Sequence, residues 1–448
     1  MDRRKFFKLA AMAGLGVATP TYVFGRNRPG TLWMPPPQTK AEPYTGTMLI
    51  TVHCGGGWDP TSLCDPKGYP SSMSYDDAQQ DGTVMNKSYS EGEIANAGNI
   101  RYAPLNDGNA DAPYQFSTFF EKHYDKLLVI NGVDMLTNGH DGGTRHMCCG
   151  RLSEGYPALA ALHAAIQGKT LPMTFMSFGG YDETMGLVAR TRSGNTNALA
   201  RIAYPDRYDT DDPAAIFHSA AAIEMIKEAQ AERYEKLKQT ERLPRAQLAL
   251  DLMWAGRSGA DELKKLTEYL PDPLSNDGFQ RQVQVAIAAY KAGICTSAQL
   301  TTGGHDTHGN HDQSQIPRLA ADIRGFDFIY EEAARQGVWG KVVAMMGSDF
   351  GRTPGYNDGN GKDHWPITSV MLMGAGISGN RVVGASDERH NALGVNPSTL
   401  AVDDANGIHI EPKHIHANLR RVLGIDNTDQ ARMFPINIAE EDEMNLFG

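Results

Sequence analysis

The sequence predicts an α/β protein, a three-layer αβα sandwich with a mostly parallel central sheet. Three observations lead there. Six short apolar runs recur along the 448 residues, several closed by glycine; stretches with apolar positions at helical spacing separate them; and unusual polar clusters fall just beyond the runs. Near-continuous apolar runs suit strands covered on both faces, and alternation of strand with helix marks a parallel sheet between helical layers.

The runs are "TMLITVHC" (47–54), "KLLVINGV" (126–133), "PMTFMSF" (172–178), "TSAQLTT" (296–302), "KVVAMMG" (341–347) and "TSVMLMG" (368–374). Between them, "YPALAALHAAIQ" carries Pro157 near a helix start, and "IPRLAADIRGFDFIYEEAARQGVWG" keeps helical spacing as far as Gly337. From Asp212 to about residue 275 the chain turns alanine- and charge-rich at helical period, which predicts a helical insertion in the α/β domain. Residues 66–115, rich in Gly, Asn, Asp and Ser, predict an extended surface loop.

The first residues are set apart. "MDRRKFFKLAAMAGLGVA" places Arg3 and Arg4 before Phe6, Phe7 and Lys8, then a short apolar run ending near Ala18, the pattern of a twin-arginine export signal. The run falls short of the ~20 residues a bilayer span requires, so no transmembrane segment is expected beyond a signal that could stay attached. The expected organisation is a targeting segment over 1–30 and a single domain over 31–448, periplasmic or otherwise exported. A net charge of −11 argues against nucleic acid or an anionic membrane as partner. Five cysteines leave at least one unpaired; Cys54 and Cys64 are a candidate pair, whereas adjacent Cys148 and Cys149 are poorly placed to bridge.

In open α/β sheets ligands gather at the carboxyl ends of strands, and the polar clusters of this chain sit there. The first run delivers Asp59 in "GGGWDP"; the second delivers Asp134, His140, Asp141, Thr144 and His146 in "DMLTNGHDGGTRHM". The run at 296–302 opens into "GGHDTHGNHD", with three histidines and two aspartates in ten positions, including Asp306 and His308. Asp349 and Arg352 follow in "SDFGRTP", and Asp363 and His364 lie in "DGNGKDHWP". Carboxylate oxygens with neutral imidazole nitrogens are what a divalent zinc or manganese ion takes, and two such ions can clamp the oxygens of a displacement. A lone loop Asp or His is usually a cap or a solvated turn residue; coincidence across several strand ends favours a composite metal site. Arg352 is read two ways, as a neutraliser of an anionic substrate or as the partner of a carboxylate. Trp365 is read as pocket wall or packing, the methionine-rich runs as core, and His409, His414 and His416 as structural residues at a helix start with exposed polar groups.

"GGHDTHGN", "SDFGRTP", "GKDHWP" and "LGID" (423–426), in this order, resemble the twin-arginine-exported family designated domain of unknown function fifteen-oh-one, a branch of the alkaline phosphatase and sulfatase superfamily. The family's motifs run GGWDTHGN and SEFGRTP, so His305 stands here for a tryptophan and Asp349 for a glutamate. The likeness covers residues 47–68 and 277–426 and is loose between. It implies an alkaline phosphatase-like fold with divalent metal (zinc, manganese, calcium or magnesium) held by Asp59, Asp306, His308, Asp349, Asp363 and His364, and a covalent intermediate on a hydroxyl. Thr144, at the exit of the second strand, is the expected nucleophile; His140 could fill the same space, and Thr61 and Ser62 are further candidates. The sulfatase pattern C-x-P-x-R fails at "CDPKG", where Gly68 stands in place of arginine, so a formylglycine enzyme is excluded. Two functions follow: an exported metal-dependent hydrolase acting on a small anionic phosphate or sulfate ester with Arg352 steadying the anion, or a catalytically inactive module of the same fold that binds an exported partner protein.

Overall fold

The structure is a computed structural model that describes residues 42–448 apart from 195–203, 205, 210, 211, 213 and 259. The export signal expected over 1–30 lies outside the described residues. Among the described residues no helix is long and apolar enough to cross a membrane.

Eight strands form the central sheet: β1 (Met48–Gly55), β4 (Leu127–Asp134), β5 (Phe175–Ser177), β6 (Arg190–Arg192), β7 (Ser297–Gly303), β8 (Val342–Ser348), β11 (Ile367–Gly374) and β12 (Arg381–Val383). Two small hairpins, β2 (Ala95–Ala97) with β3 (Ile100–Tyr102) and β9 (Gly351–Arg352) with β10 (His364–Trp365), lie outside it. The spatial order is β12-β4-β11-β8-β1-β7-β5-β6. All sheet pairings are parallel except those of β11, which runs antiparallel to β4 and to β8. All six apolar runs are strands of this sheet, and the expected fold class stands. The reversal of β11 has a consequence: its start, reached from residues 363–366, lies at the sheet edge where the parallel strands finish.

Alternation along β1 sorts its side chains. Met48, Ile50, Val52 and Cys54 enter one core with the helices α1 (Phe116–His123), α7 (Gly278–Lys291) and α8 (His311–Arg335). Leu49 enters the other, with α2 (His140–Cys149), α3 (Leu159–Gln167) and α9 (Pro412–Val422). Helices therefore cover both faces. Between residues 212 and 275 lie α4 (Ala220–Thr240), α5 (Pro244–Ser258) and α6 (Ala260–Tyr269).

Three expectations change. Residues 66–115 are not a surface loop: Tyr89, Ile100 and Tyr102 are buried in the main core, and Tyr69, Ala78 and Val84 form a small core of their own. Their apolar residues are too irregularly spaced to show a period, yet irregular chain can bury them. The Cys54–Cys64 bridge is not formed; all five cysteines are buried free thiols. His414 and His416 are buried rather than exposed, and His416 Nε2 donates to Met147 O at 2.8 Å, fastening α9 to α2.

Candidate functional site

The loop after β1 opens the site. Gly56 and Gly57 have φ of 113° and 79°, and a Cβ on them would lie 2.6 Å from Asp306 N and 2.5 Å from the Phe350 ring, so only glycine lets the three strand exits meet this closely. Their backbone N–H groups donate to Asp349 Oδ1 at 3.0 and 2.7 Å. Ser348 Oγ adds a third donor to that oxygen at 2.9 Å. Asp349 is thereby pinned with its second oxygen, Oδ2, 2.6 Å from His140 Nδ1. Burial opposes its ionisation, but the His53 ring and the donors from His140, Ser348 and Gly57 hold the carboxyl below its ordinary range.

Three histidines, His140 after β4, His308 after β7 and His364 just before β11, then turn their Nε2 atoms toward Asp306. His140 Nε2 lies 3.6 Å from Asp306 Oδ2, and His308 Nε2 and His364 Nε2 lie 3.0 and 3.1 Å from Asp306 Oδ1. Each ring is oriented through its other nitrogen. His140 Nδ1 donates to Asp349, His308 Nδ1 donates to Asp363 Oδ1 at 2.8 Å, and His364 Nδ1 donates to the Asn138 carbonyl at 2.8 Å. A carbonyl can only accept, so the tautomer of His364 is fixed with Nε2 unprotonated, and ionised Asp349 and Asp363 favour the same tautomer in the other two. The Nε2 lone pairs of His308 and His364 consequently face each other across 3.0 Å, which is favourable only with a proton or cation between them. His140, Asp306 and His364 offer ligand atoms all within 4.8 Å of one another. Nitrogen-rich donors, rings held by carboxylate or carbonyl partners and partial exposure fit a divalent ion with an open coordination position. Phe350, fully buried, floors the cluster with its ring 4.8 Å from His140 and 4.5 Å from His364.

Arg352 does not face solvent. It is fully buried, and its guanidinium donates to Gly57 O at 2.8 Å, Lys362 O at 2.9 Å, Gly56 O and Asp306 Oδ1 at 2.8 Å. The reading as a carboxylate partner is the one the geometry takes. Although burial opposes it, the hydrogen bond and charge of Arg352 bring Asp306 down to about 2. Trp365 is likewise packing, its Nε1 bound to His390 O at 2.6 Å.

Asp59 leaves the expected metal set. Its carboxylate is sealed at 0% exposure, with Oδ1 accepting from Thr61 N and Thr61 Oγ1 at 2.9 and 2.6 Å. Oδ2 lies 2.7 Å from Lys362 Nζ, 2.9 Å from His311 Nε2 and 3.4 Å from Ser62 Oγ. Burial pushes this carboxyl up, yet the Lys362 charge and the His311 hydrogen bond carry it well below its ordinary value. A lysine ammonium occupies the place where a cation was expected, and Thr61 and Ser62, turned toward Asp59, are not available as nucleophiles. The "GGHDTHGNHD" stretch thus divides its histidines: His308 joins the rim cluster, His311 faces Asp59, and His305 is buried between Gln315 Oε1 at 2.9 Å and Asp322 Oδ2 at 2.7 Å. Asp312 accepts from Ser88 and Tyr356 hydroxyls at 2.6 and 2.7 Å.

Thr144 follows His140 by one turn on α2, on the same face, and its Oγ1 lies 3.3 Å from His53 Nε2. His53 and Asn138 were not anticipated. Alternation along β1 could have turned His53 toward α2, whereas the role of Asn138 belongs to a backbone carbonyl and leaves no trace in residue types.

The model of the family described as "Protein of unknown function (DUF1501)" matches residues 47–434. The chain belongs to that family. No curated protein matches it. Among solved structures it is similar to the PsFucS1 sulfatase from Pseudoalteromonas sp., at 11% identity and a TM-score of 0.36 over 86% of this chain and 69% of that one. It is also similar to Ps i-CgsB in complex with k-i-k-neocarrahexaose, at 7% identity and a TM-score of 0.35 over 90% and 76%. A third is the alkaline phosphatase from the Antarctic bacterium TAB5, at 9% identity and a TM-score of 0.31 over 76% and 95%. Scores and identities of this size carry nothing about the reaction, and the site's chemistry rests on its own geometry.

Proposed function

We propose that this family member is an exported hydrolase of phosphate or sulfate esters that works with a divalent metal ion held by His140, Asp306, His308 and His364. The observation that carries the reading is the convergence of three oriented Nε2 atoms on one half-exposed carboxylate. Nitrogen donors favour zinc over manganese, calcium or magnesium, which suit oxygen shells better. Bound there, the ion would act as a Lewis acid on the ester's oxygens. The chain's residues do the rest: Asp349, Asp363 and the Asn138 carbonyl orient the rings, Arg352 locks Asp306 to the β1 loop, and Thr144 stands one helical turn from His140. Because Lys362 already neutralises Asp59, one ion per chain is expected rather than two.

The inactive partner-binding module is the second reading, favoured by one observation: Arg352 has no free face to offer an anion. Metal analysis of the purified chain, with aryl phosphate and aryl sulfate assays before and after chelation, separates the two. One equivalent of metal with turnover lost on chelation or in Asp306→Ala supports the hydrolase. Tight metal without turnover on any ester favours the module, and absence of bound metal overturns both the ion and the hydrolase.

A further inference from the structure

Thr144 is half-buried on α2, and its hydroxyl touches a single ring, His53. His53 lies near the carboxyl end of β1 on the strand face that carries Leu49 and Thr51, the face covered by α2. The ring is 5% exposed, and its Nδ1 is buried with no hydrogen-bond partner. With no partner at Nδ1, the ring can carry its proton there. His53 Nε2 remains able to accept a proton. Two neighbours make that acceptance productive: Gly143, before Thr144, packs so closely on Asp349 that a Cβ there would lie 2.1 Å from Asp349 O, and the Asp349 carboxylate stabilises a cation on His53. Burial pulls the ring's pKa down and Asp349 pulls it back up, which leaves a neutral ring with a counter-charge in place.

We propose that His53 is the general base that takes the Thr144 hydroxyl proton, so that Thr144 and His53 form a nucleophile–base pair beside the histidine cluster. The inference rests on the hydrolase reading for its substrate class. In the first step the bond from Thr144 Oγ to phosphorus or sulfur forms as the bond to the leaving oxygen breaks; the hydroxyl proton passes to His53 Nε2, and the leaving oxygen departs with its electron pair and takes a proton from solvent. In the second, water attacks the same atom, the Thr144 Oγ bond breaks, His53 returns its proton to Thr144, and of the two protons of the attacking water one goes to solvent and the other leaves on the product hydroxyl.

The test uses the full chain and a fluorophosphonate probe, in which the phosphorus–fluorine bond breaks, fluoride leaves and the Thr144 proton goes to His53. Peptide mass mapping is expected to find the adduct on Thr144, abolished in Thr144→Val, retained in Thr144→Ser, and formed ~100-fold more slowly in His53→Gln with bound metal unchanged. An adduct on another residue, no adduct on the unaltered chain, or a His53→Gln rate equal to that of the unaltered chain overturns the pair. Ester turnover judges the two readings separately: turnover that survives Thr144→Val sinks the pair and spares the hydrolase, whereas Thr144 labelling without turnover on any ester sinks the hydrolase and spares the pair.

Discussion

Two clusters built partly from the same ten residues meet opposite fates. At the rim, His308 joins His140 and His364 around Asp306, with side chains between 23% and 49% exposed. In the interior, His311 joins Lys362 around Asp59 at 0% exposure. Both pair carboxylate with imidazole. The interior carboxylate meets its cation within the chain, because a buried charge without a partner costs several kcal/mol, and the result is a closed structural knot. The rim carboxylate has a guanidinium on one oxygen and three unprotonated nitrogens nearby, so its cluster still has donors to offer. Residue type is shared, and the fold supplies each carboxylate with a cation; what separates site from scaffold is that the rim keeps imidazole nitrogens gathered at a half-exposed surface, whereas the interior group is sealed.

The sharpest way to break that contrast is Asp306→Ala, expected to abolish ester turnover and metal retention, checked by metal analysis and melting together. Because it strips buried Arg352 of its carboxylate, it should also lower the thermal midpoint, but by less than loss of the interior pair does, since the Gly56, Gly57 and Lys362 carbonyls still accept from the guanidinium. Lys362→Met should do the reverse: it strands buried Asp59 and is expected to cost ~3–5 kcal/mol in denaturant unfolding while rim metal affinity changes little in whatever fraction stays folded. A third outcome concerns Asp349→Asn, which removes the acceptor that orients His140 and should weaken metal binding ~10–100-fold by competition with a chelator.

Acid titration sharpens the comparison further. The folded pKa of Asp59 is depressed, so its contribution to stability is present above the unfolded value near 4 and is lost as pH falls from there through the folded value. Unfolding midpoints measured from pH 6 downward should therefore drop in the unaltered chain and drop less steeply in Lys362→Met. The smallest change is expected of Asp363→Ala, at the exposed edge of the rim, where loss of the His308 contact should alter metal affinity by less than about tenfold, at the low end for such supporting contacts.

The sheet was legible because its strands are short apolar runs whose burial on both faces demands such composition. The rim was legible in outline: His140, Asp306, His308 and His364 follow or precede strands, and strand ends are where loops can converge. Asp59 left the expected metal set, and Arg352 took the carboxylate-partner reading over the anion-contact one, for one reason. Each stands in a motif position that suits a ligand or an anion contact, and each is consumed by a partner far along the chain, Lys362 some three hundred residues after Asp59 and the Gly56 and Gly57 carbonyls nearly as far before Arg352. His53 went unremarked because a histidine inside an apolar strand reads as core.

The sequence by itself determined the layered α/β architecture, the family and the set of strand exits at which chemistry could assemble, because periodicity and local turn composition act over neighbouring residues. Only the tertiary structure decided which carboxylate stays open and which is sealed, and which ring touches Thr144. Those outcomes depend on the reversal of β11, which brings residues 362–364 back over the parallel strand ends, and on desolvation, which forces each buried charge to find its partner wherever the fold places one.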